Sequence, residues 1–228
     1  MITLSDSGTC HGGIALPWRT LLLGAAALAA YLILGPAPEA WVFDRFAIAG
    51  GEWWRLITGH WVHSDPAHAG WDIAALLLLG ILFEQRLRWR LPLALLAGTA
   101  GVDAWLWWGE PALRYYCGLS GILNSLLIVG LLHLWHDFRH PMVLVTVVGA
   151  ALKIILEIYF GQALLTQTAW PSIPTAHAAG FLCGLIMAWR IKTGSESTLT
   201  PIDSYNGWGK RRAHHETIYS NCTVDPVG

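Results

Sequence analysis

This sequence predicts an all-α membrane protein of six transmembrane helices, and three observations carry that fold class. Hydrophobic residues make up 54% of the 228-residue chain and charged residues only 13%, with a mean hydropathy of +0.47. A soluble domain of that composition would lack the polar residues to cover its surface. Six apolar stretches approach the roughly 20 residues that a bilayer core about 30 Å thick requires of a helix. Many of the fourteen tryptophans, such as Trp53, Trp54, Trp107, Trp108 and Trp135, collect at the edges of those stretches, as interfacial belts do.

The spans are expected at 16–34, 69–84, 91–108, 119–135, 141–160 and 174–190. The first is long, and no Lys or Arg precedes Arg19, so it reads as a permanent helix rather than a cleaved signal. The second is short, and its first turn is polar. The chain then divides into a short cytoplasmic N-terminus (1–15), a six-helix membrane domain (16–190) and a flexible, polar cytoplasmic tail (191–228). With the N-terminus inside, ten of the Lys and Arg residues fall in cytoplasmic segments and only Arg45, Arg55 and Arg114 outside, with Lys153 in the membrane. The positive-inside rule therefore puts both termini in the cytoplasm. Cys10, Cys117, Cys183 and Cys222 lack zinc-like spacing and predict no disulfide framework. The Asn221-Cys222-Thr223 sequon lies on the wrong side for glycosylation. No cofactor and no metal is expected, and a net charge of -1 gives no reason to propose nucleic acid. The lipid bilayer is the implied surroundings.

Alternating the spans fixes which ends face outward. The fourth starts outside at Ser120, within Gly118-Leu119-Ser120-Gly121. The sixth starts outside and carries His177 about one turn in, at roughly 1.5 Å per residue. The second starts outside and carries His68 and Asp72, four apart on one face. Three helices thus deliver a serine, a histidine and a His/Asp pair to one depth, where polar groups are costly unless paired or functional. These residue types suit nucleophilic acyl transfer. Ser120 would be the nucleophile and His177 its base, with the Ser120 amide at a helix N-terminus and the His68 side chain as oxyanion donors. Gly121 allows close approach, and Gly180 with Gly184 forms a small-residue face for packing the sixth span on the fourth. Taken alone, Ser120 reads as a helix cap and His177 as a bonded interhelical histidine; together they favour catalysis. Asp103 has no evident role.

At these residues the sequence resembles the rhomboid intramembrane serine proteases. Gly118-Leu119-Ser120-Gly121 looks like their GxSG nucleophile motif, and His177-Ala-Ala-Gly180-Phe-Leu-Cys-Gly184 like their HxxGxxxG base motif. Glu52-Trp53-Trp54-Arg55 resembles the Trp-Arg element of their first loop. His63, His68 and Asp72 follow their HxxxxHxxxN pattern, with Asp72 in place of the asparagine, and Gly80 and Glu84 resemble a Gly/Glu pair late in the second helix. The resemblance covers about residues 50 to 190 and implies a rhomboid-like bundle, a Ser120-His177 dyad, oxyanion support from His68, Asp72, Gly118 and Gly121, and an active site facing the periplasm from the bacterial inner membrane. At Asp72 an ionised carboxylate would repel the oxyanion. It would have to be protonated, as burial favours, or orient a histidine.

The compact form is similar to the rhombosortase subgroup. That subgroup implies transmembrane or C-terminally anchored protein substrates bearing a Gly-Gly motif, an apolar helix and a basic tail. Lys153 and Glu157, four apart in the fifth span, look like a subgroup feature and are expected to pair as substrate-gate candidates. Two other readings stay open: a non-catalytic rhomboid-like binder of transmembrane helices, and a metal-dependent hydrolase using His60, His63, His68 and Asp72.

Overall fold

The computed structural model describes residues 16–196 other than 165. The expected N-terminal segment 1–15, the tail beyond 196, Cys10, Cys222 and the Asn221 sequon lie outside the described residues. The elements are α1 (Trp18–Leu34), β1 (Phe43–Asp44), α2 (Arg45–Ala49), α3 (Arg55–Thr58), α4 (Pro66–Leu87), α5 (Arg90–Trp108), β2 (Tyr115–Tyr116), α6 (Ser120–Phe138), α7 (Pro141–Phe160) and α8 (Pro174–Glu196). A long helix overlies each of the six apolar stretches. Three of them, α4, α6 and α7, are long and apolar enough to cross a membrane, with mean hydropathies of 1.6, 1.3 and 2.1; α1 is apolar but shorter. Two boundaries differ from expectation. Asp65 caps the amide of His68 at 2.9 Å, and Pro66 takes the first helical position, where its missing N–H costs nothing; α4 therefore begins three residues before 69. The α8 backbone continues to Glu196, so residues 191–196, assigned to the tail from their polarity, are helical. The described residues up to Ala188 form one compact unit.

The outer surface is apolar. Val145, Val148, Leu152 and Ile155 of α7 and Leu78, Ile81 and Leu82 of α4 are all exposed, the inverse of a soluble bundle and the pattern expected where the solvent is lipid. The chain is a multi-pass membrane protein. Its interior holds Leu76, Phe83, Leu91, Leu126 and Ile128.

Close helix approaches occur where glycine leaves room. A β-carbon on Gly80 would sit 2.0 Å from Thr20 of α1, and one turn further on Glu84 receives the Thr20 amide and hydroxyl, each at 2.7 Å, and the Arg19 amide at 3.1 Å. The Gly80/Glu84 pair thus caps α1 with a carboxylate from α4. A β-carbon on Gly180 would lie 1.8 Å from the Gly121 carbonyl oxygen, and one on Gly184 2.8 Å from that of Ser125, so the small-residue face seats α8 on α6.

The first loop is braced by two arginines. Arg55, 6% exposed, pairs with Glu52 at 2.7 Å and donates to the carbonyls of Val42, at 2.9 Å, and Glu39. Arg45 donates to the carbonyls of Leu106, Trp107, Glu110 and Leu113 around the end of α5, where exposed helix carbonyls favour a cation. The two-residue ladder pairs Phe43 with Tyr116 and Asp44 with Tyr115, tying this loop to the strand that leads into Ser120.

Candidate active site

The N-terminal ends of α4, α6 and α8 meet. Ser120 opens α6, and its Oγ lies 2.9 Å from His177 Nε2, within reach for proton transfer. The capping reading of Ser120 does not hold, because the α6 cap position is Leu119 and no side chain of its own caps the helix. Asp72 of α4 does so from outside: its Oδ2 receives the Leu119 amide at 2.7 Å and the Ser120 amide at 3.2 Å. These N–H groups converge on one point, as donors at a helix N-terminus do for an anion.

His68 stands beside them, with Nε2 3.4 Å from Asp72 Oδ2. Its Nδ1 lies 3.4 Å from the Ser64 amide and 3.0 Å from the Ser64 hydroxyl, and its Nε2 is on the side facing Gly118 and Asp72, whose carboxylate accepts from an Nε2–H. His63 is fully buried, edge-on to His68 with ring centroids 5.1 Å apart, and places Nε2 3.3 Å from the same carboxylate oxygen. Gly118 is required by both backbone and space. Its φ is +110°, and a β-carbon would lie 2.3 Å from His68 Nε2 and 3.0 Å from Asp72 Oδ2. Gly121 is similarly confined by Val102, Tyr116 and the Ala176 carbonyl at 3.0 to 3.3 Å. Asn124, which sequence reading passed over, donates from Nδ2 to the Ser120 carbonyl at 2.8 Å.

Two expectations change in detail. His60 turns away from the other histidines to bond Asp103 at 3.1 Å, which explains Asp103 and separates His60 from the donor set of the metal reading. Among the described residues no group of three or more His, Cys, Asp or Glu side chains is arranged to hold a metal ion. Lys153 and Glu157 do pair, at 2.6 Å, but unequally: the lysine side chain is 39% exposed and the glutamate 1%. Glu157 also reaches His177, with Oε2 3.2 Å from Nδ1. The shared depth of the two was open to inference, since Glu157 lies three residues before the end of α7 and His177 three after the start of α8.

The site opens into a cavity of about 590 Å³ lined by Ser120, His177, Asp72, Lys153, Trp71 and Trp170, among others. The segment between α7 and α8 lies across it, fastened by the Ala169 amide to Asp65 Oδ2 at 2.7 Å and by the Leu164 amide to Glu157 Oε1 at 3.1 Å. Burial holds the Asp65 carboxyl up, but the amides of Ala169 and His68 and the Ser64 hydroxyl outweigh it and leave the group below its ordinary 3.8. Burial, with the charges of Asp72 and Asp65, pushes the neighbouring Cys117 thiol up to about 12, so Cys117 offers no thiolate in competition with Ser120. The buried Tyr116 phenol is likewise raised and donates to the Gly118 carbonyl at 3.2 Å.

Residues 50–193 match the family profile described as "Rhomboid domain". No curated protein matches the chain.

Proposed function

Because the chain belongs to the rhomboid family, whose members are intramembrane serine proteases, we infer that Ser120 and His177 are its catalytic dyad. The single observation that carries this is the 2.9 Å contact between Ser120 Oγ and His177 Nε2 across two helices. A substrate helix enters sideways from the bilayer, and its end unwinds into the cavity. Ser120 Oγ attacks the exposed carbonyl carbon while its proton passes to His177 Nε2. The tetrahedral oxyanion draws on the Ser120 amide and the Nε2–H of His68. Collapse breaks the C–N bond, and the leaving amine takes the proton from His177. Water, activated by the same imidazole, then hydrolyses the acyl-enzyme.

In the full topology all six long helices cross the membrane, both termini are cytoplasmic and the dyad faces the periplasm of a bacterial inner membrane. The substrates are rhombosortase-like: proteins anchored by a C-terminal Gly-Gly, transmembrane and basic-tail signal. Lys153, half-exposed at the cavity wall, is the gate residue that meets them. This finer reading rests on the Lys153-Glu157 pair inside a span. Coexpression with a Gly-Gly-tailed secreted protein tests it. A released product whose mass places the cut at the Gly-Gly signal supports it, and an uncut substrate beside a Ser120-reactive enzyme refutes it. The alternative, a binder that holds helices without cutting, has no use for a hydroxyl and an imidazole in contact.

A further inference from the structure

His177 has a second partner that a Ser-His dyad leaves unused. While Nε2 faces Ser120 Oγ at 2.9 Å, Nδ1 faces Glu157 Oε2 at 3.2 Å, so the imidazole bridges a hydroxyl and a carboxylate at its two nitrogens. Glu157 is 1% exposed, and its oxygens are divided between tasks. Oε1 takes the Lys153 ammonium at 2.6 Å and the Leu164 amide at 3.1 Å, which leaves Oε2 for the histidine. A buried carboxylate is costly unless paired. Lys153, one turn back on α7, supplies the counter-charge and, with the amide, fixes the carboxylate's rotation.

We propose that Glu157 is the positioning residue of a Ser120-His177-Glu157 triad, an inference that rests on the protease reading above. A neutral imidazole carries one proton on either nitrogen, and only the Nδ1–H form turns a lone pair toward Ser120. A carboxylate only accepts hydrogen bonds, so Glu157 selects that form and holds the ring plane. When Ser120 Oγ gives its proton to Nε2, the imidazolium finds an anion already in place. The lysine at membrane depth then serves to hold the glutamate.

Saturation kinetics of fluorophosphonate labelling test the assignment on the full chain in detergent. In that reaction the Ser120 O–P bond forms as P–F breaks, fluoride leaves and the hydroxyl proton moves to His177. Glu157→Gln is expected to lower the maximal labelling rate by about 100-fold or more, with the half-saturating concentration and the melting temperature unchanged. Glu157→Asp restores part of the rate. A merely structural or gating role would move the melting temperature or the half-saturation instead. Labelling of Glu157→Gln at the wild-type rate overturns the triad while leaving the protease intact, whereas a wild-type protein that takes no label at Ser120 overturns the protease reading and the triad with it. Nitrogen NMR of histidine-labelled wild-type protein gives a check that needs no variant: His177 is expected to carry its proton on Nδ1, and a proton on Nε2 contradicts the proposal.

Discussion

The Asp72 carboxylate occupies the backbone amide of Ser120, with Oδ2 3.2 Å from the nitrogen and 2.7 Å from that of Leu119. An oxyanion formed on Ser120 must therefore share its amide donor with a negative charge, at a cost that grows as water is excluded. Asn at this position keeps an acceptor for the Leu119 amide and adds a donor. Asp72→Asn is predicted to speed fluorophosphonate labelling by about tenfold, part of the roughly 100- to 1000-fold that one oxyanion donor is worth. Asp72→Ala removes the anchor of the turn and slows labelling. A slower Asn variant with unchanged melting temperature would show that the carboxylate itself is needed.

The contact of α6 with α8 depends on Gly180. A methyl there would lie 1.8 Å from the Gly121 carbonyl oxygen, so the helices must part and the distance from Ser120 to His177 must grow. A displacement of about 1 Å is enough to cost roughly 100-fold. Gly180→Ala is predicted to lose at least that in labelling rate, while Gly149→Ala, whose methyl meets nothing within 4 Å, labels as the wild type does.

Glu84 fastens α1 rather than the site. Replacing it with Ala strands the buried Thr20 amide and hydroxyl, each lost partner costing about 1–3 kcal/mol. Glu84→Ala is predicted to lower stability by a few kcal/mol in reversible unfolding, with the labelling rate per folded molecule preserved.

The segment over the cavity should respond to acid. Asp65 titrates below its ordinary 3.8 because it accepts from Ala169, His68 and Ser64. A lowered carboxylate contributes stability that is complete above the unfolded value and is lost as pH falls through the folded one. Protection of the amides in residues 161–173 against hydrogen exchange, taken relative to the intrinsic rate at each pH, is predicted to fall on acidification below about pH 3.8 in the wild type. Asp65→Asn loses that part of the protection at every pH, and the difference between the two curves isolates Asp65 from other carboxylates. Identical curves would remove Asp65 as the fastener.

The sequence carried the helix positions and the Ser120-His177 pairing because both follow from periodic quantities. Apolar run length locates the helices, and alternation of spans sets the depth of each polar residue. Glycine spacing likewise announced the seat of α8 on α6. Contacts that depend on a loop's course were out of reach. Asp65 meets Ala169 across 104 positions, His60 swings to Asp103 instead of joining its neighbours, and Asp72 turns its carboxylate onto an amide of another helix. Glu157 lies between these cases, since its depth could be counted but not which side chain it would face. The α8 backbone runs on to Glu196, past the expected end at 190, because polarity alone does not end a helix.

The most direct measurement is the site of fluorophosphonate modification, read by mass spectrometry in the wild type, Ser120→Ala and His177→Ala. The dyad predicts one adduct, on Ser120, that is absent from both variants although each remains folded. An adduct that persists in Ser120→Ala, or an unmodified wild type, would contradict it.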